Sequence, residues 1–343
     1  SKFSVGMTTN LRKWLAFGTG VGIEICDGAL DVSVVRVRPG GVSVLGAARV
    51  MDYVSRPATE WGTELSSFLR KLGTSHVAAT VVLPRDEVTV RQLAVPGVTD
   101  KDLDAAIRFQ IDGLHPYPED EAIYSYVRIR GTDSVLIGIT RAEVIDRYSA
   151  LFAEAGIKTA AFTFSTAAMY SALRVLSSAP DPREFVAVRQ THGETEIYGE
   201  SAARPVFSAR FESAGERAVA LAIAELRLPP DAMPVAFVDV LPKPIVFPES
   251  HDPSGAEFPS HAFPYAGAMS AACPWIASAV NLLPAERRRS SSRARYVPTA
   301  VLGSLLVLLV AALAAESHYE DTRYLNVLQS EIRKLQPVAD RVI

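Results

Sequence analysis

Hydrophobic positions in the first quarter of the chain predict a three-stranded meander, then a helix and a buried strand. The meander is expected over 21–25, 30–37 and 42–49, with Cys26-Asp27-Gly28 and Pro39-Gly40-Gly41 as its turns. Apolar residues spaced by three and four predict a helix over 58–72. Residues 76–83 are almost wholly apolar, which predicts a central strand covered on both faces.

A smaller unit follows at about 86–158, where the pattern reads β-α-β-β-α. Its strands are predicted over 88–95, 123–130 and 134–140, and its helices over 99–114 and 141–155. Thr99 stands in the N-cap position of the first helix, with Asp102 three residues later. The pattern therefore predicts a compact unit inserted into a larger domain.

The next stretch repeats the meander-plus-helix pattern of the start. A short strand and an apolar helix over 160–164 and 166–176 lead into the second meander. Its predicted elements are strands over 185–189, 194–200 and 205–211, a helix over 216–226 and a strand over 235–240. Residues 241–265 lack periodicity and predict an irregular loop, and 266–279 predict a helix of small residues.

Residues 297–315 form an uncharged apolar run that predicts one transmembrane helix. As a helix the run is about 28 Å long, close to the hydrocarbon thickness of a bilayer. Five arginines precede it between 287 and 295, whereas Glu316, Glu320 and Asp321 follow it. The positive-inside rule then leaves the large N-terminal part in the cytoplasm and places 316–343 across the membrane. Apolar spacing in 316–343 predicts a helix with a short coiled-coil stripe.

Composition narrows the classes of function. A formal charge of −3 indicates no nucleic-acid partner, and the one dense basic cluster lies beside the apolar run, where it fits membrane topology and contact with anionic lipid. Two cysteines form no disulfide framework and no zinc spacing. Six unpaired histidines add no ligand motif, so no metal site is expected. The leader, 1–20, lacks the apolar core of a signal peptide.

Two meander-plus-helix halves outline the actin-like, ribonuclease-H-like α/β fold, and several segments make the resemblance specific. VGIEICDGALDVSVVRV (21–37) resembles the first phosphate loop of actin-like ATPases. Residues 77–129, 135–173 and 263–275 are similar to the type IV pilus assembly protein family PilM, including its inserted subdomain. VNLLP (280–284), followed by arginines and the apolar run, resembles the N-terminus of PilN, the membrane partner of PilM. The layout is also similar to that of the type II secretion protein GspL.

The resemblance implies an actin-like cytoplasmic domain over 21–275, with the inserted subdomain at 86–158. A juxtamembrane segment carrying the NLLP motif follows at 276–296, then the membrane helix at 297–315 and a periplasmic helix at 316–343.

An actin-like ATPase needs small residues and a metal-coordinating Asp in its two phosphate loops, and this chain departs from that pattern. Cys26 places a side chain where phosphate needs bare backbone, and Asp27 adds a negative charge there. Arg189 stands where the second loop carries its Asp, and 235–265 lacks the Gly-Gly turn of the adenosine site. The resemblance thus implies a degenerate nucleotide pocket at Gly22, Glu24, Cys26, Asp27, Gly28, Arg189 and Gly193.

We therefore expect a pseudo-ATPase with no catalytic residue and no cofactor, in which weak ATP binding without turnover stays open. An active actin-like ATPase with misaligned loops is the alternative from another class.

The segment formed by Val280, Asn281, Leu282, Leu283 and Pro284, hereafter the linker peptide, is more apolar than a linker beside a membrane usually is. In PilM-like proteins such a peptide lies in a groove between the main sheet and the inserted subdomain, so the resemblance implies docking in the same chain or in a neighbouring copy. The expected function is a single-pass inner-membrane scaffold of type IV pilus biogenesis that recruits pilus or secretion assembly proteins. A GspL-type secretion role is the second alternative, and self-association as a homodimer stays open.

Overall fold

The computed structural model describes residues 15–118, 121–176, 183–191, 194–212, 215–242, 245–246, 261–277, 279–288 and 297–339. The chain divides into two compact units, Ser1–Ser291 and Ser292–Ile343. Gly193 and most of the leader lie outside the described residues.

The first sheet of the larger unit combines an antiparallel meander with parallel strands. Its strands are β1 (Gly18–Ile25), β2 (Ala29–Arg38), β3 (Gly41–Met51), β4 (Ala79–Leu83), β8 (Thr159–Phe164) and β13 (Ile245–Val246). Their order is β13-β3-β2-β1-β4-β8, in which β1 pairs antiparallel with β2 and parallel with β4. Strands β1 and β2 are buried on both faces along most of their length. On β1, Val21, Ile23 and Ile25 lie on one face, and the glycines on the other face allow a helix to approach closely.

Five helices contribute side chains to the core around this sheet. They are α1 (Ala58–Lys71), α3 (Ala142–Glu154), α4 (Ser165–Val175), α7 (Ala262–Ala272) and α8 (Pro274–Ala277). On α1 the buried side chains Trp61, Leu65 and Leu69 recur at helical spacing and face the core, as the sequence pattern predicts.

The second sheet repeats the start of the first. Its strands are β9 (Phe185–Thr191), β10 (Glu194–Glu200), β11 (Phe207–Phe211) and β12 (Val235–Ala236), in the order β11-β10-β9-β12. The helices α5 (Gly215–Leu226) and α6 (Phe237–Val240) follow the meander and β12 in turn. Meander, helix and parallel strand thus occur in both halves, which is the duplicated arrangement of the actin-like fold that the sequence predicts.

The inserted unit lies between β4 and β8 and has its own sheet. Strands β5 (Thr89–Ala94), β6 (Ala122–Arg128) and β7 (Ser134–Arg141) pair in the order β5-β7-β6, and helix α2 (Leu103–Ile111) packs on them. The sequence pattern assigns α3 to this inserted unit, and this assignment is wrong. Phe152 of α3 meets Trp61 of α1 edge to face at 6.0 Å between ring centroids, so α3 belongs to the main core.

Local boundaries differ where tertiary contacts override the pattern. The predicted strand 235–240 ends at Ala236, and residues 237–240 form a short helix instead. This helix buries Phe237 against Phe263, with 5.3 Å between the ring centroids. Within the predicted loop 241–265, β13 pairs parallel with β3, and α7 begins at Ala262. The predicted 266–279 helix is interrupted at Cys273, because Pro274 cannot donate a backbone hydrogen bond.

The N-cap prediction for Thr99 is also wrong. Helix α2 begins at Leu103, with Asp102 in the cap position, and the Thr99 hydroxyl instead donates to the Asp102 carboxylate at 2.7 Å.

The second unit is one helix, α9 (Val297–Ala339), of 43 residues. Its described apolar side chains between 301 and 313, such as Leu302 and Leu306, are more than half exposed in this unit. The predicted span 297–315 falls in this helix. In the part of the chain that the structure describes, no helix reaches the length and apolarity needed to cross a membrane.

Candidate functional site

A cleft of about 970 Å³ opens where strand ends of the two main sheets meet. The β1–β2 turn, the end of β4 and the meander of the second sheet supply its walls. Five of the predicted pocket residues line it: Glu24, Cys26, Asp27, Gly28 and Arg189. The positions that the sequence predicts as two phosphate loops, 165 residues apart in sequence, therefore lie together in one cleft.

Arg189 lines this cleft and forms a largely buried ion-pair triad with Glu24 and Glu196. Its Nη2 lies 2.9 Å from Glu24 Oε1 and its Nη1 3.2 Å from Glu24 Oε2, so that pair is bidentate. Its Nε donates to Glu196 Oε2 at 2.7 Å, and its guanidinium carbon lies 4.1 Å from the ring centroid of Phe263. Since β1 carries Glu24 and β9 carries Arg189, the triad joins the two halves of the domain.

Burial sets the protonation of this triad. Burial raises the pKa of the Glu24 carboxyl to about 7, against the opposing attraction of Arg189. Burial by itself lowers the pKa of the Arg189 guanidinium, but Glu24 and Glu196 outweigh it and hold that pKa above its ordinary value. Arg189 is therefore a fixed positive charge that two carboxylates share.

The turn after β1 carries the next three predicted residues. Gly28 has φ +72°, a left-handed conformation that glycine adopts without steric cost, and the Cys26 N–H donates to Ala29 O at 2.9 Å. Cys26 Sγ lies 3.7 Å from Asp31 Oδ2. Burial, together with Glu24 and Asp31, raises the pKa of the Cys26 thiol. Asp27 is exposed at the tip of the turn.

The placement of Gly22 in the pocket is wrong. A Cβ at Gly22 would lie 1.9 Å from the backbone oxygen of Pro264, so this glycine allows α7 to approach β1. Gly18 and Gly20 face Ala272 and Ala268 of the same helix in the same way. A small residue next to a phosphate-loop motif can serve phosphate or helix packing, and sequence alone does not separate the two uses.

Charge in the cleft favours cations over phosphate. Its walls carry eight carboxylates and four guanidiniums. The carboxylates are Glu24, Asp27, Asp31, Asp52, Asp86, Glu194, Glu196 and Glu212. The arginines are engaged by the protein itself: Arg85 donates to Thr166 and Ser208, Arg210 pairs with Asp86, and Arg49 pairs with Asp31. A triphosphate entering this cleft would meet excess negative charge.

Three of the acidic and thiol groups also form a compact cluster. One ligand atom each of Glu24, Cys26 and Asp31 lies within 4.8 Å of the other two. The pocket predicted from the sequence included neither Asp31 nor Glu196. The strand pattern was the available signal, since Glu24 and Asp31 flank a short turn and must face each other.

The linker peptide lies against the β8 edge of the first sheet, in its own chain. Leu282 N–H donates to Phe162 O at 2.8 Å. The side-chain amide of Asn281 donates through Nδ2 to Ala160 O and accepts at Oδ1 from Phe162 N–H, each at 3.2 Å. Asn281 N–H also donates to Ser125 Oγ on β6, so the peptide bridges the main sheet and the inserted sheet. Val280, Leu282 and Leu283 are at most 3% exposed. Pro284 then leads into a short 3-10 turn over 285–287, where Arg287 pairs with Asp146.

No protein-family model matches the sequence, and no curated protein matches it. Among solved structures, the fold is similar to a chain of the PilM-PilN type IV pilus biogenesis complex, at 18% identity and a TM-score of 0.46. That match covers 62% of this chain and 66% of the other. It is also similar to the cytoplasmic domain of EpsL, an inner membrane component of the type II secretion system of Vibrio cholerae, at 10% identity and a TM-score of 0.47, covering 79% of this chain and 100% of that one.

A third similar structure is a Bacteroides thetaiotaomicron protein with an actin-like ATPase fold and unknown function, at 12% identity and a TM-score of 0.36. It covers 63% of this chain and 79% of the other. The first two are the protein types that the sequence resemblance names.

Proposed function

We propose that this chain is a non-catalytic inner-membrane scaffold of a pilus or secretion assembly machine, in which an actin-like domain recruits assembly proteins. The observation that carries the non-catalytic part is the buried Glu24–Arg189–Glu196 triad. A guanidinium at the meeting point of the two phosphate loops replaces the carboxylate that would position a metal ion, and two carboxylates already satisfy its donors.

The same triad supports a structural role for the cleft. Strands β1 and β9, which belong to different halves of the domain, are joined by an ion pair of the chain itself. Arg85 adds a second link from the end of β4, through hydrogen bonds of 2.6 Å to Ser208 Oγ and 2.9 Å to Ser208 O on β11. A domain closed by its own side chains offers a constant outer surface to partners.

Calorimetric titration of the purified full chain with ATP and Mg²⁺, combined with a phosphate-release assay, tests the non-catalytic part. We expect no phosphate release and no saturable heat at micromolar ATP. The variant Arg189→Ala provides the informative comparison, because it removes the guanidinium that fills the site. Sub-micromolar ATP binding by the unaltered chain together with phosphate release would establish the active ATPase instead.

The scaffold part of the proposal rests on the linker peptide. Three buried apolar side chains and the Asn281 amide fix this segment on the domain, so whatever follows residue 284 is held at a defined point of its surface. A tethered peptide has a high effective concentration, which favours docking in its own chain over exchange with a second copy. Sedimentation of the full chain distinguishes docking within one chain from docking in a second copy. If the chain is a monomer and the linker peptide is still buried, the peptide must dock in its own chain.

We further propose that the apolar run 297–315 anchors the chain in the inner membrane, with the actin-like domain in the cytoplasm. Its support is the absence of charge across the run and the arginine excess on its N-terminal side. The partner proteins distinguish a pilus system from a secretion system. Crosslinking in cells, followed by identification of the co-purified assembly proteins, therefore assigns this chain to one of the two systems.

A further inference from the structure

The β1–β2 hairpin places two buried carboxylates directly opposite each other. Glu24 and Asp31 are register partners on the two antiparallel strands, and they are 8% and 1% exposed. Like charges at such opposed positions are destabilising unless something compensates them. Cys26, two residues after Glu24, adds a third group to the same side of the hairpin.

Compensation by protein cations is incomplete at Asp31. The guanidinium of Arg189 is engaged by Glu24 and Glu196. Arg49 Nε lies 3.4 Å from Asp31 Oδ1, but its side chain is 37% exposed. Asp31 Oδ1 is buried and has no hydrogen-bond partner among the described residues. A buried carboxylate oxygen in this condition costs free energy that a bound cation would recover.

The distance between Cys26 and Asp31 is close to the one that tetrahedral coordination requires. Zinc binds thiolate sulfur at about 2.3 Å and carboxylate oxygen at about 2.0–2.2 Å, which sets a sulfur–oxygen separation of about 3.5 Å in a tetrahedral site. The observed distance between Cys26 Sγ and Asp31 Oδ2 is 3.7 Å, and all three ligand atoms lie within 4.8 Å of one another. Arg189, hydrogen-bonded to both oxygens of Glu24, holds that carboxylate as outer partners of metal ligands commonly do.

We propose that Glu24, Cys26 and Asp31 form a binding site for a thiophilic divalent cation, with zinc as its natural occupant. A sulfur ligand disfavours Mg²⁺ and Ca²⁺, which take oxygen ligands. All three residues line the cleft, so a fourth position faces its interior and is open to water. Binding transfers the Cys26 thiol proton to solvent as the Cys26 Sγ–metal bond forms.

Cobalt substitution tests the proposal on the full chain, because a cobalt–thiolate bond gives a charge-transfer absorption band in the near ultraviolet. We expect one equivalent of Co²⁺ to produce this band and Zn²⁺ to remove it. Cys26→Ser abolishes the band, and Asp31→Asn weakens Co²⁺ binding at least tenfold. Cys273→Ser is the matched control, since Cys273 is the other cysteine and lies buried after α7, away from the cleft lining.

A second measurement covers the case in which a variant fails to fold. In the unaltered chain, Zn²⁺ should slow maleimide labelling of Cys26 at least tenfold, whereas Mg²⁺ at the same concentration should leave the labelling rate unchanged. No cobalt band and no protection of Cys26 would overturn the proposal, as would a band that survives Cys26→Ser. Since neither readout involves nucleotide, failure here leaves the non-catalytic scaffold untouched.

Discussion

At the scale of single residues, Arg189 holds together two carboxylates from different strands. An Asp at this position would repel Glu24 and Glu196, whereas the arginine binds both. Truncating Arg189 to alanine removes the positive charge that pairs with the carboxylates of Glu24 and Glu196. We therefore predict that Arg189→Ala lowers the free energy of unfolding by about 3 kcal/mol, measured by denaturant titration.

Arg56 is the matched control for this prediction. It also bonds two carboxylates, those of Glu60 and Glu64, but does so at the surface. Arg56→Ala should leave the denaturation midpoint nearly unchanged, because solvent takes over its role. Equal effects of the two substitutions would show that the triad is not a buried clamp.

A second buried pair joins α4 to β10 behind the cleft. Arg174 and Glu200 are bidentate at 2.8 and 2.9 Å, their side chains are at most 1% exposed, and the Tyr198 hydroxyl donates to Glu200 at 2.6 Å. We predict that Glu200→Gln or Arg174→Met alone destabilises the chain by about 3–5 kcal/mol. The double variant should lose less than the sum of the two, because no unpaired charge remains. Strict additivity in the cycle would argue against the pair.

At the scale of elements, the approach of α7 to β1 depends on glycine. The Cβ of an alanine at Gly22 would lie 1.9 Å from the Pro264 oxygen, and backbone on both sides leaves little room to adjust. Gly22→Ala should therefore destabilise the domain by about 1–3 kcal/mol in thermal or denaturant unfolding. Gly40→Ala serves as the control, since a Cβ at this position of the β2–β3 turn would have nothing within 4 Å. If Gly22→Ala were as harmless as Gly40→Ala, the packing assignment would fail.

The linker peptide gives the second prediction at this scale. Leu282→Ala with Leu283→Ala empties two buried positions, and each truncation should cost about 2–5 kcal/mol if the peptide stays docked. Loss of docking instead frees the backbone around Arg287 and Arg288 from the contacts with Asp146 and Leu283, so we expect trypsin cleavage there to accelerate at least tenfold. Leu221→Ala on α5, where the leucine is 49% exposed, is the control and should alter neither readout. Unchanged stability and unchanged cleavage in the double variant would leave this segment as an ordinary linker.

At the scale of the whole molecule, the anchoring proposal makes its own prediction. After cell fractionation the full chain should sediment with membranes and resist carbonate extraction. Leu306→Arg with Val310→Arg should release it, because a charge at a helix centre costs about 2.5–3.5 kcal/mol on insertion scales. Ser290→Arg, outside the run, is the control and should remain bound. Recovery of the unaltered chain in the soluble fraction would contradict the proposal.

Sequence periodicity determined most of the described elements of this protein to within a few residues. The local spacing of apolar residues predicts both meanders, the inserted sheet with its helix and the buried strand β4. Each of these elements has one or two faces packed in the core, and the residues on a packed face must be apolar. The resemblance to actin-like proteins also singled out Cys26 and Arg189, and both residues line the cleft. The apolar linker peptide could be recognised because leucines beside a proline have little reason to lie in water.

Tertiary structure alone decided how these parts meet. The Glu24–Arg189 pair spans 165 residues, and Glu196 joined it only once β9 and β10 were paired. The same holds for α3, which packs on α1 although it follows the inserted sheet in sequence, and for Gly22, which faces a helix more than 200 residues later. Local spacing fixes which face of an element is apolar, but the partner of that face depends on long-range packing that no single segment encodes.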